Sequence, residues 1–356
     1  MSAGRTTAPG VAAVRLGPVA LRVRRRAVVA TLAVLLVLVG VLTVALLTGA
    51  LALPVDRVLV ALAGQGSGVE QLVVGRRLQR AAAAVVVGAA LGCSGALTQT
   101  VTRNPIASPD ILGVTAGASV FAVLVAVRPD VVEGALGVPP QSVVGVATVL
   151  GGLLTAALLL VLSQRGGFDG FRLVLVGIGV NALALAVVSW LLTRAELESA
   201  AVAQRWLVGS LEGATGTEVA SLGLVALPGL LACVVLADRL GALRLGPEVA
   251  RSLGVRAGGT QVGALVLAVV LASAATAVVG PVAFVAFVAP QIALRAFRTA
   301  GPPPLAGAAV GAALLLVADT LAQSLPVPLP VGVLTSLVGA PFLLYLATRS
   351  LRRTRG

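Results

Sequence analysis

Long apolar runs alternate with short polar connections along almost the whole chain. Ten of these runs have about 17–25 residues, enough to cross the hydrocarbon core of a bilayer as helices. They lie at roughly residues 27–48, 78–98, 111–127, 143–163, 173–193, 219–237, 261–279, 281–297, 304–324 and 331–348. The pattern predicts an all-α membrane protein of about ten transmembrane helices, with residues 25–352 forming a single domain.

The overall composition supports this prediction. Hydrophobic residues make up 58% of the 356 residues, and charged residues only 11%, whereas about 25% is usual in soluble domains. A soluble fold would therefore lack the charged side chains that normally cover its surface. The composition indicates a protein that crosses the membrane several times.

The arginines predict how the chain is oriented. If residues 1–24 lie in the cytoplasm and the ten runs alternate, 19 of the 26 cations fall in inside segments and 7 in outside segments. Such a bias matches the positive-inside rule and predicts that both termini are cytoplasmic. The segment 1–24 begins with a stretch rich in Ala, Gly, Thr and Pro and is predicted to be a disordered cytoplasmic tail.

Several kinds of chemistry are excluded by missing residue types. The chain has no His and no Lys, so it has no imidazole base, no His-ligated metal and no phosphate-binding G-x-x-x-x-G-K-[ST] loop. We predict no catalytic residue, no metal site and no cofactor. Cys93 and Cys233 lie in apolar runs and are interpreted as small buried hydrophobes. The net charge of +13 reflects membrane topology rather than nucleic-acid binding, because only 3% of residues are aromatic.

Two connections differ from generic membrane sequence. Pro105 and Pro109 prevent a continuous helix, so residues 103–110 form a break at the inner face of the membrane, either a gate or a tight turn. The loop 244–259 carries helix signals: Pro247 suits a first helical turn and Gly254 an end. It is either a docking surface for a soluble partner or a solvated connector.

Polar and glycine residues inside the runs point to specific contacts between helices. Asp319 lies within the ninth run, which costs about 2.5–3.5 kcal/mol unless the carboxylate is paired or faces the bundle interior. A functional acid and a structural one both remain open. Small residues at three- and four-residue spacing predict close helix packing; they include Gly88, Gly92, Gly95, Gly307 and Gly311.

Taken together, these segments resemble the FecCD-type permeases of iron–siderophore and vitamin B12 ABC importers. The family's R-x-P-R opening is similar to residues 77–80, with Gln79 in place of Pro. Its R-N-P-L-A-x-P-x-x-L-G stretch is similar to residues 103–113. Its A-R-S-L-G-V segment matches residues 250–255, and its remaining motifs resemble residues 280–295 and 318–341.

The resemblance implies the permease subunit of a type II ABC importer that works by alternating access in a bacterial cell membrane. Its implied cargo is a ferric siderophore, or else haem or a corrinoid. The implied partners are ABC ATPase subunits on the cytoplasmic side, an extracellular substrate-binding protein, a second permease subunit and the lipid bilayer. The ATPase activity is expected in a separate subunit, so this chain itself is not expected to be an enzyme.

The resemblance also assigns roles to individual residues, besides the intramembrane Asp319. It implies a gate and pathway formed by Asn104, Pro105, Ile106 and Asn181. It implies ATPase coupling through Glu248, Ala250, Arg251, Ser252, Leu253 and Gly254, and docking of the binding protein on Arg77 and Arg80. The chain departs from the family where Gln291 replaces the usual His and Gln323 replaces an Arg.

Two other functional classes, a secondary transporter and a membrane-embedded enzyme, would leave different features in the sequence. An ion-coupled secondary transporter would show repeated halves and several ionisable residues within spans, but the sequence shows no clear repeat and one intramembrane acid. A membrane-embedded enzyme would need a nucleophile–base pair or a metal site. The importer permease is therefore the main prediction and the secondary transporter the alternative.

Overall fold

The computed structural model describes residues 11–16, 19–49, 51, 53–163 and 169–353. Within them lie fifteen helices and two short strands. The helices are α1 (Arg25–Leu47), α2 (Val55–Leu62), α3 (Gly68–Thr102), α4 (Val114–Val127), α5 (Pro129–Leu136), α6 (Pro140–Ser163), α7 (Gly170–Thr193), α8 (Leu197–Leu207), α9 (Gly216–Val235), α10 (Ala237–Arg244), α11 (Pro247–Ser252), α12 (Ala257–Val279), α13 (Val285–Phe297), α14 (Pro304–Ser324) and α15 (Val331–Arg353). The strands are β1 (Val11–Leu16) and β2 (Val19–Arg24).

Each of the ten predicted runs contains a helix, which confirms an all-α membrane bundle. In the described part of the chain, seven helices are long and apolar enough to cross a membrane: α1, α3, α6, α7, α9, α12 and α14. The pair α4 and α5, bent by 85°, counts as an eighth if it is one span. The eighth and tenth predicted runs form shorter apolar helices, α13 and the 331–346 part of α15.

The segment before α1 differs from the disordered tail that its composition predicts. β1 and β2 pair as antiparallel strands, with Val11 opposite Arg24 and Leu16 opposite Val19. Apolar residues at 19, 21 and 23 alternate with other residues along β2, which is the period of a strand. Residues 1–10 lie outside the described residues.

Helix α3 is the longest helix and contacts most of the others. It begins at a capping box, in which the Glu70 N–H donates to the Ser67 hydroxyl and the Ser67 N–H donates to the Glu70 carboxylate. Its 35 residues span about 50 Å at 1.5 Å per residue, more than the hydrocarbon core of about 30 Å. The apolar run in the sequence therefore predicts only the buried part of α3. The polar first turns of the helix extend beyond this part.

The predicted close packing of glycines occurs between α3 and α14. A Cβ atom added to Gly92 would lie 2.1 Å from the Gly307 carbonyl oxygen, and one added to Gly88 would lie 2.3 Å from that of Gly311. Neither position has room for a side chain, so glycine is required for the two backbones to touch. Through this contact, α14 packs directly against the buried half of α3.

The predicted break between α3 and α4 is present, and a second break separates α12 from α13. Between α3 and α4, the Asn104 side-chain oxygen accepts a hydrogen bond of 3.0 Å from the Ile106 N–H, which stabilises the turn. Between α12 and α13, both Gly280 (φ 74°) and Phe284 (φ 66°) have left-handed backbone conformations. Because residues 280–284 leave the helix, α13 is shorter than the apolar run that predicts it.

The two cysteines behave as the sequence predicts. Cys93 on α3 and Cys233 on α9 are buried free thiols. Their Sγ atoms lie 3.5 Å apart, so the side chains pack against each other between the two helices without a disulfide.

Candidate functional site

A cavity of about 630 Å³ lies beside both helix breaks. Its walls come from α4, α7 and α15, from the segment that ends α8, and from the 280–284 break. Most of the lining is apolar, and the polar side chains are few: Asp110, Thr115, Ser119, Asn181 and Ser336. A mainly apolar cavity with a few polar groups is typical of small-molecule sites.

Asp110 is the one charged side chain in this lining, and the sequence alone did not single it out. Both of its carboxylate oxygens are buried and lack a hydrogen-bond partner among the described residues. Burial raises the pKa of Asp110 to about 6. The neighbouring Thr115 hydroxyl and Phe284 N–H oppose this rise without cancelling it. Asp110 lies in the connection between α3 and α4, and neither a motif nor a hydropathy pattern signals such burial.

The predicted gate residues are divided between two places. Asn181 lines the cavity from α7, and the chain passes close to it, because a Cβ on Gly113 would lie 2.8 Å from the Asn181 backbone nitrogen. Asn104, Pro105 and Ile106 form the turn that follows α3 and do not line the cavity. The same connection brings Asp110 to the cavity, so the turn and the cavity wall belong to one continuous segment.

At the opposite end of α3, Asp319 is paired within the chain. The Arg80 guanidinium donates to both carboxylate oxygens, with Nε–Oδ2 and Nη2–Oδ1 distances of 2.9 Å. The Gln323 amide donates a further bond of 2.7 Å to Oδ2. Asp319 is only 2% exposed and Arg80 21%. The carboxylate is therefore satisfied as an intramembrane acid must be, and the pairing engages an arginine to which the resemblance gives a docking role.

Arg77 is also held within the chain. Its guanidinium donates to the Leu46 carbonyl oxygen at 2.7 Å and to that of Leu51, at the end of α1 and just beyond it. Arg77 and Arg80 share a polar cavity of about 610 Å³ with the exposed Arg76 and with Glu212. This end of the bundle therefore combines two internally bonded arginines with one that faces outward.

The Gln that replaces the family's His forms a hydrogen-bond network. The Gln291 amide donates to the Gln99 side-chain oxygen at 2.8 Å, and Gln99 donates to the Phe287 carbonyl oxygen at 3.1 Å. Arg295 donates to the Gln291 backbone and side-chain oxygens. These bonds join α3 to α13, and because Gln does not titrate, the connection is independent of pH at this position.

The loop 244–259 contains one short helix, α11, where its signals predict one, and α10 lies immediately before the loop. Leu253 ends α11, and Gly254 follows with a positive φ of 79°. Ala250 is buried and its carbonyl oxygen accepts from the Val255 N–H, whereas Glu248 and Arg251 form an exposed ion pair. The Ser252 hydroxyl donates to the Glu248 carbonyl oxygen.

Three apolar side chains are exposed around α11: Leu245, Val249 and Leu253, the last to 62%. Leu245 precedes the helix and is separated from it by Gly246, whereas Val249 and Leu253 belong to α11 and its end. Neither α10 nor α11 is among the candidate spans.

Metal binding finds no support in the described residues. They contain no cluster of three or more His, Cys, Asp or Glu side chains that could hold an ion. The polar groups of the cavity are too few and too dispersed to act as a ligand set.

Comparison with known proteins identifies relatives over most of the chain. It is 38% identical over 311 residues to the ferric enterobactin transport system permease protein FepG of Escherichia coli (strain K12), covering 86% of this chain and 91% of the relative. It is 39% identical over 327 residues to the achromobactin transport system permease protein CbrC of Dickeya dadantii (strain 3937), covering 89% and 90%.

The fold is also similar to a solved structure, an inward-facing metal-chelate type ABC transporter. That chain matches with a TM-score of 0.76 and 25% sequence identity, covering 90% of this chain and 99% of the other. Residues 35–349 match the sequence profile of the FecCD transport family. The chain belongs to the FecCD transport family.

Proposed function

We propose that this chain is the membrane-spanning permease subunit of an ATP-driven ABC importer that carries a ferric siderophore into a bacterial cell. Family membership over residues 35–349 is the observation that carries the proposal. The cavity beside the two helix breaks is the pathway, since irregular backbone at membrane depth persists where it lines a cavity. Haem or a corrinoid is the alternative cargo, because an apolar wall with few polar groups suits each of these bulky chelates.

ATP hydrolysis is assigned to a partner subunit that docks on α10 and α11. The chain has no Lys for a phosphate-binding loop. The exposed side chains of Leu245, Val249 and Leu253 supply apolar surface for contact with the ATPase. Gly254, which follows α11, has a positive φ that other residues adopt only with strain. We assign the coupling of ATP hydrolysis to transport to this pair of helices.

A second permease subunit completes the pathway. Several apolar residues of the cavity wall are exposed in the single chain, namely Leu185, Val208 and Val333. A partner permease that covers this face would enclose the cavity and bury them. The partner is either a second copy or a close relative.

The remaining assignments follow the charge distribution. The positive-inside bias supports two cytoplasmic termini and a cytoplasmic location for α10 and α11. Arg77 and Arg80 then lie at the outer face, where a binding protein's carboxylates would meet them together with the exposed Arg76. Asn104 and Ile106 lie at the inner end of the segment that reaches the cavity, a position suited to a gate.

The experiment is transport by the reconstituted complex. Proteoliposomes containing this chain, its ATPase and its binding protein should accumulate radiolabelled ferric siderophore when ATP is added on the ATPase side. Leu253→Asp should abolish co-purification of the ATPase and uptake, whereas Leu197→Asp, at another exposed leucine outside the candidate spans, should leave ATPase binding intact. Normal co-purification with Leu253→Asp would contradict the coupling assignment.

The secondary transporter remains a second candidate because Asp110 is a buried, unpaired acid beside the cavity. Proton-coupled transporters place such groups along their pathways. Uptake driven by a pH gradient in proteoliposomes that lack the ATPase would favour this function. Uptake that requires ATP and is indifferent to the gradient would exclude it.

A further inference from the structure

An apolar groove of about 480 Å³ lies between α1, α13, α14 and α15, apart from the transport cavity. Ala33 and Val37 of α1 face Ile292 of α13 and Leu334 of α15 across it. Thr335 is the one residue in the lining with a polar side chain, and its hydroxyl already donates to the Gly332 carbonyl oxygen at 3.1 Å. The groove therefore has no free polar side chain with which to bind water.

The chemistry of the lining and its depth together indicate what fills the groove. A water molecule needs two to four polar partners, which this lining does not provide. The groove lies along α1 and α14, both long and apolar enough to cross a membrane. The medium at that depth is lipid acyl chain, so hydrocarbon is the occupant that matches the walls.

One end of the groove is strongly basic. Val34 of α1, Phe297 at the end of α13 and Ala306 near the start of α14 all pack on one buried cluster, which brings these segments together. Exposed arginines lie near this end: Arg25 and Arg26 are about one turn before the lining residue Ala30, and Arg295 and Arg298 flank the lining residue Ala296. The first turns of α1 and α14 contain no acidic residue. Basic pockets between transmembrane helices are suited to anionic lipid headgroups.

We propose that this groove is a binding site for an anionic phospholipid. One acyl chain lies between α1 and α15, and the phosphate contacts the arginines at the ends of α1 and α13. The bound chain packs on Phe284, a residue of the 280–284 break that also lines this groove. Pro281 and Ala283 of the same break line the transport cavity, so the lipid supports one wall of the pathway from behind.

The test measures retained lipid on the purified full-length chain by native mass spectrometry. After exchange into detergent, one phosphatidylglycerol per chain should remain bound, with about a tenfold preference over phosphatidylcholine, because several arginines lie near the headgroup. Ala33→Trp should abolish this adduct by filling the groove. Leu36→Trp is the matched control, since Leu36 lies on the same helix, is 76% exposed and is absent from the groove lining.

A second pair of variants tests the headgroup without altering the groove. Arg298→Gln together with Arg25→Gln should reduce the preference for phosphatidylglycerol, whereas Arg239→Gln, at another exposed arginine, should not. An adduct that Ala33→Trp leaves intact, or equal retention of the two lipids, would overturn the proposal. A crosslink between grooves of two chains in place of lipid would also overturn it, because a second copy would then be the occupant.

Discussion

Asp319 and Asp110 have the same side chain, and the carboxylate is buried in both, but the surroundings of the two carboxylates are opposite. Four hydrogen bonds, three from Arg80 and one from Gln323, hold the Asp319 carboxylate. Asp110 has no such partner among the described residues, although it lines the cavity beside the two helix breaks. The Asp319 carboxylate thus stabilises helix packing, whereas holding the Asp110 carboxylate without a partner costs stability. An unpaired acid of that kind is expected where the protein binds or moves something.

The largest effect is expected from removing one partner of the buried ion pair. Arg80→Ala would leave the Asp319 carboxylate buried with only the Gln323 amide, and should lower the free energy of unfolding by about 3–5 kcal/mol. Denaturant unfolding in detergent, followed by circular dichroism, measures it. Arg76→Ala is the control, because Arg76 is exposed at the same end of α3.

The double variant Arg80→Met with Asp319→Leu sharpens this test. Replacing both charges by apolar side chains of similar size should recover most of the lost stability, because no uncompensated charge remains. A double variant as unstable as Arg80→Ala would mean that packing around these side chains, rather than the charge, dominates.

Asp110→Asn should change stability in the opposite direction. Since burial raises the pKa of Asp110 to about 6 from its ordinary value of 3.8, the folded state binds more protons than the unfolded state between these values. The carboxylate thus destabilises the fold increasingly as the pH rises from about 4 to 6, by about 3 kcal/mol above that range.

The measurement is the free energy of unfolding at pH 7.5 and pH 5. Asp110→Asn should raise it by up to about 3 kcal/mol at pH 7.5 and by less at pH 5. Asp238→Asn, at an exposed aspartate, should show no such pH dependence. A destabilised Asp110→Asn variant at pH 7.5 would mean that the carboxylate has a partner in the folded state. Transport by the same variant reports separately whether the acid is needed.

A smaller loss is expected at Gln323. Gln323→Leu removes the 2.7 Å bond to Asp319 but leaves the Arg80 guanidinium in place. The cost should be about 1.5 kcal/mol, the lower limit for a hydrogen bond to a charged group. Unfolding of Gln323→Leu in the Asp319→Asn background provides the control, since the cost should shrink when the acceptor is neutral.

The smallest effect is expected at the exposed ion pair of α11. Arg251 and Glu248 approach to 2.6 Å, closer than Arg80 and Asp319, but their side chains are mostly exposed. Glu248→Gln should therefore change the free energy of unfolding by less than about 0.5 kcal/mol, because solvent screens the pair. A loss comparable to that of Arg80→Ala would show that distance, not burial, decides the strength of these pairs.

Much of the architecture follows from local features of the sequence. Apolar runs locate the membrane helices because the bilayer demands about 20 residues of hydrocarbon-compatible side chains in each span. Proline and glycine locate the breaks at 103–113 and 280–284, because they restrict or release the backbone irrespective of what surrounds them. The glycines that pack α3 on α14 were also predictable from their spacing alone.

The contacts of the charged residues could not be predicted in this way. Arg80 and Asp319 are 239 positions apart, and hydropathy indicates only that Asp319 needs a partner, not which arginine provides it. The burial of Asp110 is equally hidden, because a connecting loop next to a proline is normally expected at the surface. Both depend on how helices distant in sequence come together.

The sequence by itself determined that the chain crosses the membrane many times, where its helices break, and to which family it belongs. Those properties depend on residue type and short-range spacing, because the bilayer requires apolar side chains and internally bonded backbone in each span. Only the tertiary structure decided that Asp319 is neutralised by Arg80, that Asp110 remains unpaired, and that a basic-ended apolar groove lies behind the 280–284 break. Electrostatic pairing and cavity shape arise from contacts between distant segments, so they exist only once the helices are packed.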